Sequence, residues 1–164
     1  MLSLDLFVAK DLFLKSHPKP QIIHLKSDTV VTNKGKTSDR HPRGDFDNSW
    51  MNYWMAFSDI TRGFICSVDG NPIWVSSNEE SCEICKKWNR AREIMYGCEK
   101  DEAEQSYNGR RAHGAHVRYQ GKIYIVPMSA SENTSLGDDD SEITLKKGTV
   151  LVEEVDPIID DQKK

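Results

Sequence analysis

A chain of 164 residues, 37% hydrophobic and 29% charged, fits one domain with one core, because a chain of this length buries roughly two thirds of its unfolded surface. No apolar run approaches the ~20 residues that a membrane-spanning helix needs. A formal net charge of −4 excludes a surface that is basic throughout, so any contact with nucleic acid has to be local.

The start, Met1-Leu-Ser-Leu-Asp-Leu-Phe-Val-Ala-Lys10, carries Asp5 within its apolar stretch and lacks a basic n-region and an Ala-x-Ala pattern. It reads as folded structure and not as a signal peptide. Cys66, Cys82, Cys85 and Cys98 then read as thiols, and a cytoplasmic location is the simplest expectation. Apolar residues at positions 2, 4, 6, 7, 8, 12, 13 and 14 mix alternation with a continuous run and predict a strand followed by a turn. Ser16-His-Pro-Lys-Pro20 breaks the chain, and Gln21–Leu25 predicts a short strand. Residues 32–48, rich in Lys, Asn, Gly, Asp, Ser and Arg, predict a long polar loop, disordered when unbound.

Ser49 is placed to cap a helix over residues 49–61, in which Trp50, Tyr53, Trp54, Phe57 and Ile60 recur at helical spacing. That stripe reads as a core-facing side, with a base-stacking face as the sharper alternative. A hairpin is expected over residues 63–76, turning at Asp69-Gly-Asn-Pro72 and carrying Cys66 on a strand. A second helix is expected over residues 78–106. Its Cys82, Cys85, Ala91, Ile94, Met95 and Cys98 follow spacings of three and four, so the Cys-x-x-Cys pair reads first as part of a buried helical face. Zinc ligation by Cys82 and Cys85 is the alternative and needs two more donors, of which Cys98 and His113 are among the nearest.

Gly114-Ala-His-Val-Arg-Tyr119, the turn Gln120-Gly121-Lys122 and Ile123-Tyr-Ile-Val-Pro127 predict a hairpin over residues 114–127. Met128–Thr134 can then begin a helical turn capped by Ser129 or Ser131. Arg110, Arg111, Arg118 and Lys122 gather positive charge around this hairpin, a local patch able to meet phosphate. Over residues 112–135 this strand-strand-helix plan resembles the HNH nuclease finger and related treble-clef zinc modules. The resemblance implies His116 as general base and Asn133 as the helix-borne ligand of a divalent ion. The chain departs from the pattern at Ala115, where an acidic residue usually precedes the base, and at Met128–Ser131, where a Cys-x-x-Cys is often found. An ion held by one Asn and one imidazole is short of the oxygen ligands that hard cations need. The resemblance therefore implies a degenerate, non-catalytic copy. The plainer reading of His113 and His116 is that they satisfy backbone carbonyls or cap a core.

Residues 136–164 are acidic, with Asp138, Asp139, Asp140, Glu142, Glu153, Glu154, Asp156, Asp160 and Asp161 among them. Ile143-Thr-Leu145 and Thr149–Glu153 around Lys147-Gly148 predict a last hairpin within residues 143–155, followed by an acidic tail over 156–164. Arg43-Gly44-Asp45 matches an adhesion tripeptide by its letters alone. Walker, Gly-x-Ser-x-Gly and Gly-x-Gly-x-x-Gly motifs are absent.

These elements combine into a single α+β domain with several hairpins packed on two helices. The expected function is a small binding module with a degenerate HNH-like centre, contacting nucleic acid or a protein that handles it. One alternative is an active metal-dependent nuclease using His116. Another is a protein-interaction or inhibitor factor acting through the acidic C-terminal segment. No cofactor is expected, with zinc or magnesium as the candidates if one is held.

Overall fold

The computed structural model describes residues 4–35, 37, 39–60, 62–66, 72–76, 112–129 and 141–159. The fold is α+β, two helices packed on a curled antiparallel sheet. The helix expected over 78–106, with Cys82, Cys85 and Cys98, lies outside the described residues.

The first element corrects the strand expected at the N-terminus: it is a helix, α1 (Leu4–Ser16). Leu6, Ala9 and Phe13, three and four residues apart, form its buried face. The helical period was masked because the opposite face is apolar too, with Phe7, Val8, Leu12 and Leu14 exposed. The amide of His17 bonds the carbonyl of Phe13, and Pro18 then precludes continuation.

The second helix, α2 (Trp50–Ser58), matches expectation. The Ser49 side chain accepts from the Asn52 amide at 3.1 Å, and Asp59, in left-handed backbone, closes the other end with its N–H on the Met55 carbonyl. Trp50, Met51 and every residue from Tyr53 to Phe57 are buried, so α2 is a central helix and its aromatic rings are core and not a base-stacking face. The segment before it is not the unstructured polar loop that its composition suggests. It holds the short strand β3 (Arg40–His41) and the fully buried Phe46, packed against Phe13 and Tyr53 at ring centroid distances of 6.1 and 5.5 Å.

The main sheet is ordered β1-β9-β7-β6-β2-β8, where β1 is Ile22–His24, β2 Thr29–Asn33, β6 Ala112–Tyr119, β7 Lys122–Ser129, β8 Glu142–Leu145 and β9 Val150–Glu153. The expected hairpin within 143–155 is corrected here, since β8 and β9 do not pair with each other. They are two halves of one bent strand lying along another bent strand, β1 and β2. Ile22 faces Val152 in one half and Thr29 faces Leu145 in the other. The corner is carried by backbone bonds from Leu25 to Thr149 (3.0 Å) and from Gly148 to Leu25 (2.9 Å), and by the Lys147 amide on the Asp28 carboxylate (2.8 Å). Because β2 pairs β6, β6 pairs β7 and β7 pairs β9, the circuit of strands closes like a small barrel, with β1 and β8 as its edge strands.

The sheet is buried on both faces. Ala115, Val117, Tyr124, Val126, Leu151 and their neighbours fill the inside. Ala112, Ile125, Val150 and Val152 face outward onto α1 and α2. Strand β7 is therefore buried along almost its whole length, which accounts for the unbroken apolar run from Ile123 to Met128. Among the described residues two further strand pairs form. The expected hairpin over 63–76 is present as β4 (Arg62–Cys66) with β5 (Pro72–Ser76), and β5 places Ile73 and Val75 in the outer core. Within the expected acidic tail, β10 (Ile158–Ile159) pairs with β3.

Candidate functional site

The β6–β7 hairpin runs from Ala112 to Ser129, with Tyr119 opposite Lys122. Its two-residue turn has positive φ at both Gln120 and Gly121, the backbone that matches the twist of paired strands. His116 sits mid-strand opposite Ile125, on the outward face. Glu154 continues the alternation of Val150 and Val152 one step past β9, with its amide on the Ile123 carbonyl at 2.9 Å, and so reaches the same face. Arg40 comes from β3.

These three side chains form a buried ionic cluster. Arg40 grips Glu154 with both arms of its guanidinium, Nε to Oε2 at 3.0 Å and Nη2 to Oε1, the planar fork that suits a carboxylate. His116 Nε2 lies 2.9 Å from Glu154 Oε2, and both side chains are only 2% exposed. The pair is close, but it lies off the line of a well-aligned ring N–H bond. Trp50 closes the cluster: its ring meets that of His116 edge to face at 5.0 Å, and its Nε1 donates to the Arg40 carbonyl at 3.0 Å. Burial would raise the Glu154 carboxyl, but His116 and Arg40 together outweigh it and hold the group below its ordinary range. The bond to Glu154 raises Arg40 against the opposing effect of burial. Beside the cluster, burial pushes the Tyr53 hydroxyl far up, and that hydroxyl donates to the Glu153 carbonyl at 2.6 Å while accepting from the Val155 amide at 3.3 Å.

Such an arrangement fastens three distant chain segments together. It does not present His116 to a substrate, because the nitrogen facing the carboxylate is enclosed by Glu154 and the Trp50 ring, whereas a general base must reach the proton it removes. His113, three residues earlier on the strand, falls on the opposite face and is exposed. The two histidines therefore do not converge. Arg118 and Lys122 also leave the hairpin on opposite faces, since Arg118 faces Ile123 and Lys122 faces Tyr119. Lys122 lies 3.3 Å from Glu153 and 3.4 Å from the Gln21 side chain, so part of its charge is already met. Arg110, Arg111, Cys82, Cys85 and Asn133 lie outside the described residues. Within the described residues no group of three or more His, Cys, Asp or Glu side chains could hold a metal ion, and no helix is long and apolar enough to cross a membrane.

Two members of the cluster escaped the sequence reading. Glu154 had a signal, because it extends a buried alternation with a charged residue, which demands a partner. Arg40 had none, being one cation in a polar stretch. No family model, curated protein or solved structure matches the chain.

Proposed function

We propose that this chain is a binding module and not an enzyme. One observation carries the reading: His116, the residue that would have to act as the base, is enclosed in an ionic cluster with Glu154 and Arg40. The HNH-like hairpin is then a degenerate copy whose histidine serves the fold. A protein partner is better supported than nucleic acid. Arg118 and Lys122 do not share a face, while α1 turns Phe7, 56% exposed, together with Val8 and Leu12 to solvent, and grouped apolar exposure marks contact surfaces. The nucleic-acid alternative rests on Arg118 acting with Arg110 and Arg111.

The test is a cleavage assay on plasmid and single-stranded substrates with Mg²⁺ or Mn²⁺, for which no cutting is expected, while His116→Ala lowers the melting temperature. Cutting abolished by His116→Ala in a protein that stays folded overturns the reading. Retention on a nucleic-acid column that falls steeply with salt and is lost in Arg118→Glu moves the partner from protein to nucleic acid.

A further inference from the structure

The ribbon formed by β3 and β10 is a two-stranded sheet of its own, apart from the six-stranded sheet. Its ladder is two residue pairs long. None of Arg40, His41, Ile158 and Ile159 belongs to either apolar core, and both isoleucines face solvent. Polar contacts hold it: the Arg40–Glu154 pair, the Trp50 Nε1 bond to the Arg40 carbonyl at 3.0 Å, and Arg43 Nε on the Asp156 carbonyl at 3.0 Å. On either side the chain is fixed in the core by Phe46 and Val155, so the ribbon can lift without carrying the rest of the fold with it.

We propose that the Arg40–Glu154–His116 cluster is a proton-operated latch, in which ionised Glu154 holds the β3–β10 ribbon on the barrel and protonation of Glu154 releases the ribbon while the barrel stays folded. The latch is separate from the binding reading and does not depend on it. An ionised carboxylate accepts both arms of the Arg40 fork and faces His116. Once protonated it has lost its charge and one acceptor site, and a guanidinium that is 17% exposed loses the counter-charge it is bonded to. The least costly relief is for Arg40 to move into water, and β3 moves with it. His116, fixed in the middle of β6, stays.

Among the described residues, the ionisable groups facing the carboxylate are Arg40 from β3 and His116 from β6. Asp39 acts on Arg40, and Tyr53 of α2 lies within the field of Glu153 and Glu154. Glu153 is met by Lys122 of β7, and Asp156 by His17 just past α1. With its carboxyl held below the ordinary range, Glu154 keeps the latch closed at neutral and mildly acidic pH. The holding free energy is complete above the carboxyl's unperturbed range and is lost as pH falls through the depressed value.

Hydrogen exchange followed residue by residue from pH 7 to pH 3, expressed as protection factors, tests this. The amides of residues 40–41 and 158–159 should lose at least tenfold protection at a pH where those of Val117 and Ile125 are still protected. Glu154→Gln, similar in shape and unable to ionise, should show the open ribbon already at pH 7 and no acid step. Arg40→Met should do the same from the cationic side, and where either variant fails to fold the wild-type profile decides. A single acid transition shared by ribbon and barrel, or wild-type ribbon protection in a folded Glu154→Gln protein, overturns the latch.

Discussion

The two faces of one sheet are held by different physics. On the inner face Val117, Tyr124, Val126 and Leu151 close against one another, and what matters there is volume and the exclusion of water. On the outer face the same strands meet α2 and β3 through particular contacts: Gly114 beneath Trp50, His116 against its ring, and Glu154 in the grip of Arg40 from β3. Strands β6, β7 and β9 serve both faces by alternation, so a shift of one residue in register would exchange a charged cluster for an aliphatic core. An inner-face defect should therefore cost the same at any pH, and an outer-face defect should depend on geometry and charge.

The largest effect is expected where α2 touches the sheet. A Cβ built on Gly114 would lie 2.6 Å from the Trp50 Cβ, 2.7 Å from the Trp50 carbonyl carbon and 2.8 Å from the Met51 nitrogen. Two of those atoms are backbone, so the helix itself has to move. Gly114→Ala should lose about 3 kcal/mol or more, measured by urea denaturation, and a loss under about 1 kcal/mol would show that α2 is free to slide on the sheet. Leu151→Ala, in the fully buried interior, should cost about 3 kcal/mol by removing buried methyl groups and leaving a cavity. That cost should be the same at pH 7 and pH 4.

Arg40→Met sharpens the contrast through its pH dependence. At pH 7 it should cost about 2 kcal/mol, less than a fully enclosed pair because Arg40 retains some access to water. The sign follows from Glu154, whose folded-state carboxyl titrates below its ordinary value of 4.5. Wild type therefore gains from the pair above that ordinary value and loses the gain as pH falls through the depressed one, so the two proteins should converge in acid. Urea curves at pH 7, 5 and 3 check this, and a penalty that persists unchanged through acid titration of Glu154 would remove the charged role of the cluster.

The same division explains which parts of the fold were legible beforehand. Helix α2 could be read from Ser49 and the spacing of its aromatic residues, and the β6–β7 hairpin from its alternation around Gln120-Gly121, because in both the signal is local. Helix α1 was not, since Phe7, Val8 and Leu12 put apolar residues on its solvent side and erased the period. The corner at Lys147-Gly148 looked like a hairpin turn because a bent strand and a hairpin share the same local sequence; they differ in which distant strand each half pairs with, and here that partner is more than a hundred residues away in sequence. The site was legible only at His116 and, in principle, at Glu154. Arg40 meets Glu154 across a separation of 114 residues, and nothing near it in the chain marks that meeting.

The smallest effect separates contact from backbone conformation within a single hairpin. Gly121 has φ of +78° and nothing within 4 Å of a Cβ placed on it, so Gly121→Ala meets no neighbour and costs only the left-handed backbone, about 1 kcal/mol. Asparagine tolerates that backbone better than alanine, and two-residue turns of this kind favour it. Gly121→Asn should therefore cost less than Gly121→Ala. At Gly114 the order should reverse, because a larger side chain only deepens the collision with Trp50 and Met51. Urea denaturation of the four variants measures both orders at once, and an alanine better tolerated than asparagine at position 121 would mean that the turn relaxes out of its positive-φ form.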